Sequence, residues 1–300
     1  MSLKPLEDMT FADDFIFEKV MADKENVKAF LEALFEKQIV SIEDSDVQSG
    51  YKDNPEEHGV RFDVEFSGDG VTYDIEMQRV ESVSEAFKQE LVHRARYYQA
   101  MLTKHSLKSN ESYRILRNSK VIFILTKDVF GDGRRRYTQC SFIKELHEEV
   151  HDGAETVYLN AEGLDIGIKS YERVSAEIAD LLTYIRTEGG IVGGTNLVRR
   201  IDNAVKEAKT SEDVRRAYMS LNEKLRRERE EGREEGREEG RELGREEGRE
   251  EGARETLEEN IRTLAGKFKI SVEEAREILT STGAASRQGA VPGPVSNLQF

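Results

Sequence analysis

The 300-residue chain carries 45 Lys and Arg against 60 Asp and Glu, a formal net charge of −15 at pH 7, with 37% hydrophobic and 35% charged residues. That balance describes a globular core plus a long solvated segment and argues against broad, nonspecific adhesion to nucleic acid. No apolar run reaches bilayer-spanning length, no signal peptide opens the chain, and the single cysteine, Cys140, excludes an internal disulfide framework, so a cytoplasmic protein with no membrane association is expected.

In chain order, residues 10–37 read as helix, capped by Thr10 and bent near 22–25, with Phe11, Phe15, Val20, Phe30, Leu31, Leu34 and Phe35 at helical spacing. A strand is expected over 45–52 and a loop around Asn54, Pro55 and Gly59. Residues 61–78, RFDVEFSGDGVTYDIEMQ, alternate apolar and charged positions on either side of a Gly-Asp-Gly turn, the pattern of an antiparallel hairpin. With Ser82 as cap, a long helix extends to about His105. KVIFILT (120–126) is a continuous apolar run that predicts a strand buried on both faces. YTQCSFI (137–143) and TVYLNA (156–161) add strands, with Cys140 a small apolar strand residue, and two amphipathic helices follow near 172–187 and 196–209.

From Ser211 the composition changes to an Arg-Glu-Glu-Gly repeat of period four. Four residues overshoot a helical turn by about 40°, so no fixed apolar seam forms, and each Gly costs roughly 1 kcal/mol against Ala. A solvated spacer is expected, with an oligomerisation rod as the rival reading. TLEENIRTLAGKFKISVEEAREILTSTG resumes amphipathic periodicity as two short helices, Ser271 capping the second.

The hairpin carries the chemistry. Phe62, Val64, Phe66, Val71, Tyr73, Ile75 and Met77 share one face; Asp63, Glu65, Asp74, Glu76 and Gln78 share the other. Acids crowded on one face repel unless something compensates, and a cation compensates. With Ser67–Gly70 as the loop, Phe66 pairs with Val71, Asp63 with Asp74, and Glu76 is a diagonal neighbour of Asp63. Oxygen donors of this kind suit Mg²⁺ or Mn²⁺ and hydrolysis of a phosphodiester. Simple half-exposure of the hairpin accounts for the same alternation. Elsewhere, Arg134, Arg135 and Arg136 form the densest basic cluster, a DNA contact or a solvated loop. His147 and His151, at i and i+4, have no third ligand near in sequence and read as a surface helix. The glycines of 189–194 lack the Lys-Ser/Thr of a phosphate-binding loop.

Asp63 followed after thirteen positions by Glu76-Met77-Gln78 resembles the PD-(D/E)XK nuclease signature in its Glu-x-Gln variant. More specifically, the chain resembles the recombination-promoting nuclease and transposase family of that superfamily. The likeness runs through DDFIFEKVMADKENVKAFLEAL, RFDVEF, YDIEMQ, HRARYYQAML, IFILTKDVFGDG, LVRRIDNAVKEAK, VRRAYMSL and the repeat; their order and spacing carry it, not any one motif. The resemblance implies a restriction-endonuclease-like αβββαβ core with a mixed sheet, divalent-metal dependence and DNA endonuclease activity linked to recombination or mobile elements. It makes Asp63 and Glu76 metal ligands with the Met77 carbonyl, and puts Gln78 in the place of the usual Lys, orienting water or touching the phosphate. It adds Asp14 as a water-mediated metal contact and Arg94 with Tyr98 as phosphate contacts. Asp14 reads equally as an acid favoured by the helix N-terminus, and the tyrosines at 97 and 98 as packing. Gln is neutral and is no electrophile as Lys is, and Phe62 stands where the motif has proline.

The expected organisation is a nuclease-like core over 10–165, a helical extension over 166–225, the spacer over 226–255, a helical pair over 256–283, and a disordered or cloning-derived tail over 284–300. The expected function is an Mg²⁺-dependent deoxyribonuclease acting on DNA, with a homo-oligomer as a further expectation. The alternative is a catalytically inactive module that binds nucleic acid or a protein through the same fold.

Overall fold

The structure is a computed structural model that describes residues 4–42, 50–51, 60–61, 63–107, 110–169, 173–190 and 194–287. The chain divides into two compact units, Met1–Asn222 and Glu223–Phe300.

The first unit opens with helices α1 (Asp14–Met21) and α2 (Lys24–Phe35). The expected bend at 22–25 is there, but the helix starts four residues later than Thr10. Asp13 Oδ2 accepts from Thr10 N (2.6 Å) and Thr10 Oγ1 (3.1 Å), so the Thr10 hydroxyl serves a turn and is not free to cap. The strand expected over 45–52 falls largely outside the described residues; β1 (Gly50–Tyr51) pairs antiparallel with β2 (Val60–Arg61).

The hairpin follows as β3 (Val64–Gly68) and β4 (Val71–Gln78). Its loop is Asp69-Gly70 alone, with φ of 49° and 78°, the two left-handed residues of a type I′ turn, whose twist matches that of the strands. Gly68 therefore faces Val71, Phe66 faces Tyr73 and Glu65 faces Asp74. This corrects the expected register by two residues: Asp63 comes opposite Glu76, not Asp74. An even slip leaves every side chain on its expected face. Gly70→Ala puts a Cβ on a residue at positive φ and is expected to lower unfolding free energy by about 1–2 kcal/mol in urea titration.

Helix α3 (Glu85–His105) is capped by Ser84, whose Oγ accepts from Phe87 N at 3.1 Å; Ser82 lies two residues too early to reach that amide. Strand β5 (Asn118–Leu125) carries the buried run, with Val121–Leu125 fully inaccessible. The expected strand 137–143 splits into β6 (Arg136–Gln139) and β7 (Ser141–Ile143), because β6 pairs with β9 (Ala154–Asn160) while β7 leaves to pair with β8 (Glu148–Val150). Cys140, at the split, is exposed rather than packed. His147 sits in the β7–β8 turn at φ 54° and His151 follows β8, so the expected surface helix is a ribbon. The main sheet runs β3-β4-β5-β9-β6, with β4, β5 and β9 parallel and the edge strands antiparallel. This is the mixed sheet of the expected α/β class.

The sheet is covered on both faces, as parallel strands require. Val64, Phe66, Ile75, Met77, Ile122, Ile124 and Leu159 bury one face against α1, α2, α4 (Ala176–Arg186) and α5 (Asn196–Thr210). On the other, Val121, Phe123, Leu125 and Tyr158 pack with Leu91, Ala95, Met101 and Leu102 of α3. The acid-bearing side of β4 faces this second layer.

Helix α6 (Glu212–Phe268) begins in the first unit, where the Tyr218 ring packs tilted against Phe15, centroids 5.0 Å apart, and its hydroxyl donates to the Lys4 carbonyl. In the second unit the Arg-Glu-Glu-Gly repeat is helical and exposed throughout, and a Cβ on any of its glycines would meet nothing within 4 Å. The first of the two expected short helices is the end of α6. It stops at Lys269 (φ 53°) with a bond from Ile270 N to the Ala265 carbonyl. Helix α7 (Val272–Arg287) opens on the expected Ser271 cap, a reciprocal box with Glu274, and Ile261 and Ala275 are buried. No helix among the described residues is long and apolar enough to cross a membrane.

Candidate active site

The two-residue turn brings Asp63 and Glu76 face to face at the hairpin's open end. Asp63 N donates to Glu76 Oε1 at 2.9 Å, and Met77 N donates to Asp63 Oδ2 at 3.2 Å. Each acid thus has one oxygen held by the other strand's backbone region, which fixes its rotamer. Gln78 Nε2 donates to the Met77 carbonyl at 2.9 Å, and its Oε1 accepts from Arg94 Nη1 at 2.7 Å. Arg94 descends from α3 and also donates through Nη2 to the Tyr98 hydroxyl at 3.1 Å, with Glu76 Oε2 3.6 Å from the same nitrogen. Its guanidinium lies over the rings of Tyr98 (5.5 Å) and Phe123 (5.9 Å), which are themselves stacked. Asp63, Glu76, Met77, Gln78, Arg94 and Tyr98 therefore converge in one place.

Two residues the motif reading missed join them. Glu18 stands one helical turn after Asp14, and both lie near enough to Asp63 to raise its pKa. The signal was available as i, i+4 spacing on α1. Asp74, two residues before Glu76 on the same strand face, is 0% exposed, and its carboxyl lies against that of Glu76. Arg79, directly after Gln78, pairs with Asp13 Oδ1 at 2.8 Å and ties the end of β4 to the start of α1. That tie sets Asp14 beside the hairpin.

Burial, then the neighbouring charges of Asp14 and Glu18, push the Asp63 carboxyl up to about 6. Burial and then Asp63 push Glu76 up to about 8. Asp74 is raised well above the carboxylate range by burial and then by Glu76, and Asp14 is raised by burial and then by Asp13. Against these acids, among the described residues, stand Arg94 beside Asp63 and Glu76 and the more exposed Arg79 near Asp14. The excess of buried negative charge is the property a divalent cation satisfies.

Among the described residues no group of three or more His, Cys, Asp or Glu side chains could hold a metal by itself. The donor set is two carboxylates plus a backbone carbonyl whose second lone pair remains after Gln78 has bonded. All donors are oxygen, and Mg²⁺ is commonly held by one or two carboxylates with the remaining positions left to water and phosphate. The residues present fit such an ion.

Arg134, Arg135 and Arg136 are not brought to this cluster. They lie at the start of β6, three strand spacings from β4, about 14 Å away across the sheet. Arg134 pairs with Asp132 at 2.6 Å, Arg135 Nε donates to the Gly163 carbonyl, and Arg136 pairs with Glu155 at 3.2 Å.

A family model described as PD-(D/E)XK nuclease family transposase matches residues 11–179. The chain belongs to that family. The match spans α1 to the start of α4, including every member of the hairpin cluster, and the five-stranded mixed sheet is consistent with a PD-(D/E)XK nuclease fold. Membership makes this nuclease-family protein one of transposase-like type, and divalent-metal use is general among PD-(D/E)XK nucleases. No curated protein and no solved structure matches the chain.

Proposed function

We propose that this PD-(D/E)XK protein is a metal-dependent DNA endonuclease whose active site is the Asp63–Glu76 pair. The observation that carries the reading is the placement of two mutually facing acids, Glu76 buried and Asp63 half-buried, with raised pKa values beneath an arginine that contacts both Glu76 and Gln78. Asp63 and Glu76, with the Met77 carbonyl, would hold Mg²⁺ or Mn²⁺. Such an ion, when bound, neutralises the scissile phosphate and lowers the pKa of a water.

The chain's own residues supply the rest. The backbone amides of Asp63 and Met77 keep the two carboxylates aimed together. Gln78, pinned at one end by Arg94, turns its amide toward the Met77 carbonyl and orients water by hydrogen bonding, without the charge a Lys would bring. Arg94 is 31% exposed on its side chain, so one edge of the guanidinium serves Gln78 and Tyr98 while the group's charge faces an incoming phosphate. Asp14 and Glu18 act through water and charge. Arg94→Ala is expected to slow cleavage about a hundredfold, read as initial nicking rate on plasmid DNA.

The test is incubation with supercoiled plasmid in Mg²⁺, in Mn²⁺ and in chelator, beside Asp63→Ala. Metal-dependent nicking lost in the variant supports the nuclease. No nicking in either metal favours a binding module instead. The feature behind that second reading is Gln78, a neutral residue with both ends of its amide engaged.

A further inference from the structure

Helix α3 carries more than Arg94. On its outer side a cavity of about 850 Å³ is lined by Ala86, Glu90, His93, Arg94, Arg96, Tyr97 and Ala100 among others. From Ala86 to Ala100 the helix rises about 21 Å, enough for more than one nucleotide. Arg94 and Arg96 stand against Glu90 along it, with the His93 imidazole beside them, a locally basic strip on a chain of net charge −15. Arg94 belongs to both this trough and the acid cluster, so the trough opens directly onto the site. Tyr97 is 41% exposed in the middle of the strip, although it neighbours Tyr98, which turns inward onto Phe123.

In the 440 Å³ crevice beyond β4 and β5, Arg79 is paired with Asp13 and Glu188, and Lys127 donates to the Glu81 carbonyl. The α3 trough is where cationic side chains and a partly exposed aromatic ring coincide beside the acids. That combination is how proteins hold an unstacked strand: basic groups follow the phosphates and a ring stacks on a base. In a duplex both faces of each base are already stacked, so the ring has no equivalent partner.

We propose that the α3 trough binds a single-stranded DNA segment adjoining the scissile position, with Tyr97 stacking on a base and Arg96 and His93 on the phosphates. The proposal rests on the nuclease reading for its substrate, and it names that substrate as a single-stranded stretch or a frayed end.

The experiment measures fluorescence anisotropy of labelled oligothymidine, of its duplex with oligoadenosine, and of oligouridine RNA, all in chelator so that no strand is cut. Wild-type protein is expected to bind oligothymidine more tightly than the other two. Tyr97→Ala should weaken that binding about tenfold and Tyr97→Phe should stay within about twofold of wild type. Arg96→Gln should lower the slope of log affinity against log salt by about 0.7. Wild-type affinity in Tyr97→Ala, equal loss in Tyr97→Phe, or tighter binding of the duplex or of RNA would overturn the proposal. The unfolding midpoint of each variant separates misfolding from lost contact, and the Arg96 slope reads the trough without touching Tyr97. Because binding is read without metal, absent plasmid cleavage sinks the nuclease reading alone, and loss of Tyr97 dependence with cleavage intact sinks the trough alone.

Discussion

Glu76→Gln is expected to abolish metal-dependent plasmid cleavage while making the metal-free protein more stable at pH 8. Gln keeps the oxygen that accepts from Asp63 N, so the hairpin contact survives. What it removes is one of two facing charges, and it sets a neutral amide beside the buried Asp74 carboxyl, which burial and then Glu76 raise well above the carboxylate range. The gain is on the order of a few kcal/mol, given a Glu76 pKa raised from 4.5 to about 8. Loss of a metal ligand removes several kcal/mol of charge stabilisation, at least about a thousandfold in rate. A gain in melting temperature with lost cleavage is the signature of an acid held for function against stability. Cleavage at the wild-type rate would show that Glu76 is structural. A fall in stability would show that its charge is already compensated.

The second large effect is a pH dependence of stability that a divalent cation reverses. Both acids have folded-state pKa values above the unfolded ones: Asp63 goes from 3.8 to about 6, and Glu76 from 4.5 to about 8. Within those windows the folded protein keeps protons that the unfolded chain has lost, so stability falls as pH rises from about 4 to about 8. The contribution is fully present below the unfolded values and gone above the folded ones. Thermal unfolding in chelator is therefore expected to show a lower midpoint at pH 8 than at pH 6. Adding Mg²⁺ at about a hundred times its Kd should raise the midpoint at pH 8 by roughly 5–10 °C. At pH 5 the ion must displace protons and the shift should shrink. A midpoint that rises steadily from pH 5 to pH 8 without metal would contradict the site's electrostatics.

The faces of the hairpin were legible because strand periodicity is two: once Val64, Phe66, Ile75 and Met77 are assigned inward, Asp63, Asp74, Glu76 and Gln78 follow. The register was not. Asp69-Gly70 is a strong two-residue turn signal, yet a four-residue loop satisfies the same alternation, and only backbone twist chooses between them. Choosing wrongly paired Asp63 with Asp74, where the structure pairs it with Glu76. The buried run at β5 announced itself by composition, whereas the exit of the chain at Cys140 depends on β7 finding β8, a long-range choice that no local pattern encodes. Arg94 and Tyr98 were identified from their spacing and the family resemblance, but what they touch depends on how α3 lies on the sheet. Glu18 was visible only as the fourth residue after Asp14, and Arg79's tie to Asp13 spans too many residues to read. The three adjacent arginines drew attention by charge density; Arg134 and Arg136 pair with Asp132 and Glu155, and Arg135 donates to the Gly163 carbonyl, partners that adjacency in sequence does not reveal.

The most direct measurement is calorimetric titration of Mn²⁺ into metal-free protein at pH 8, wild type beside Asp63→Ala and Glu76→Gln. The hairpin site predicts saturable binding to the wild-type protein, accompanied by proton release, and none measurable in either variant. Equal binding by all three proteins, or no binding to the wild type at a pH where Asp63 is charged and Glu76 is about half ionised, would contradict it.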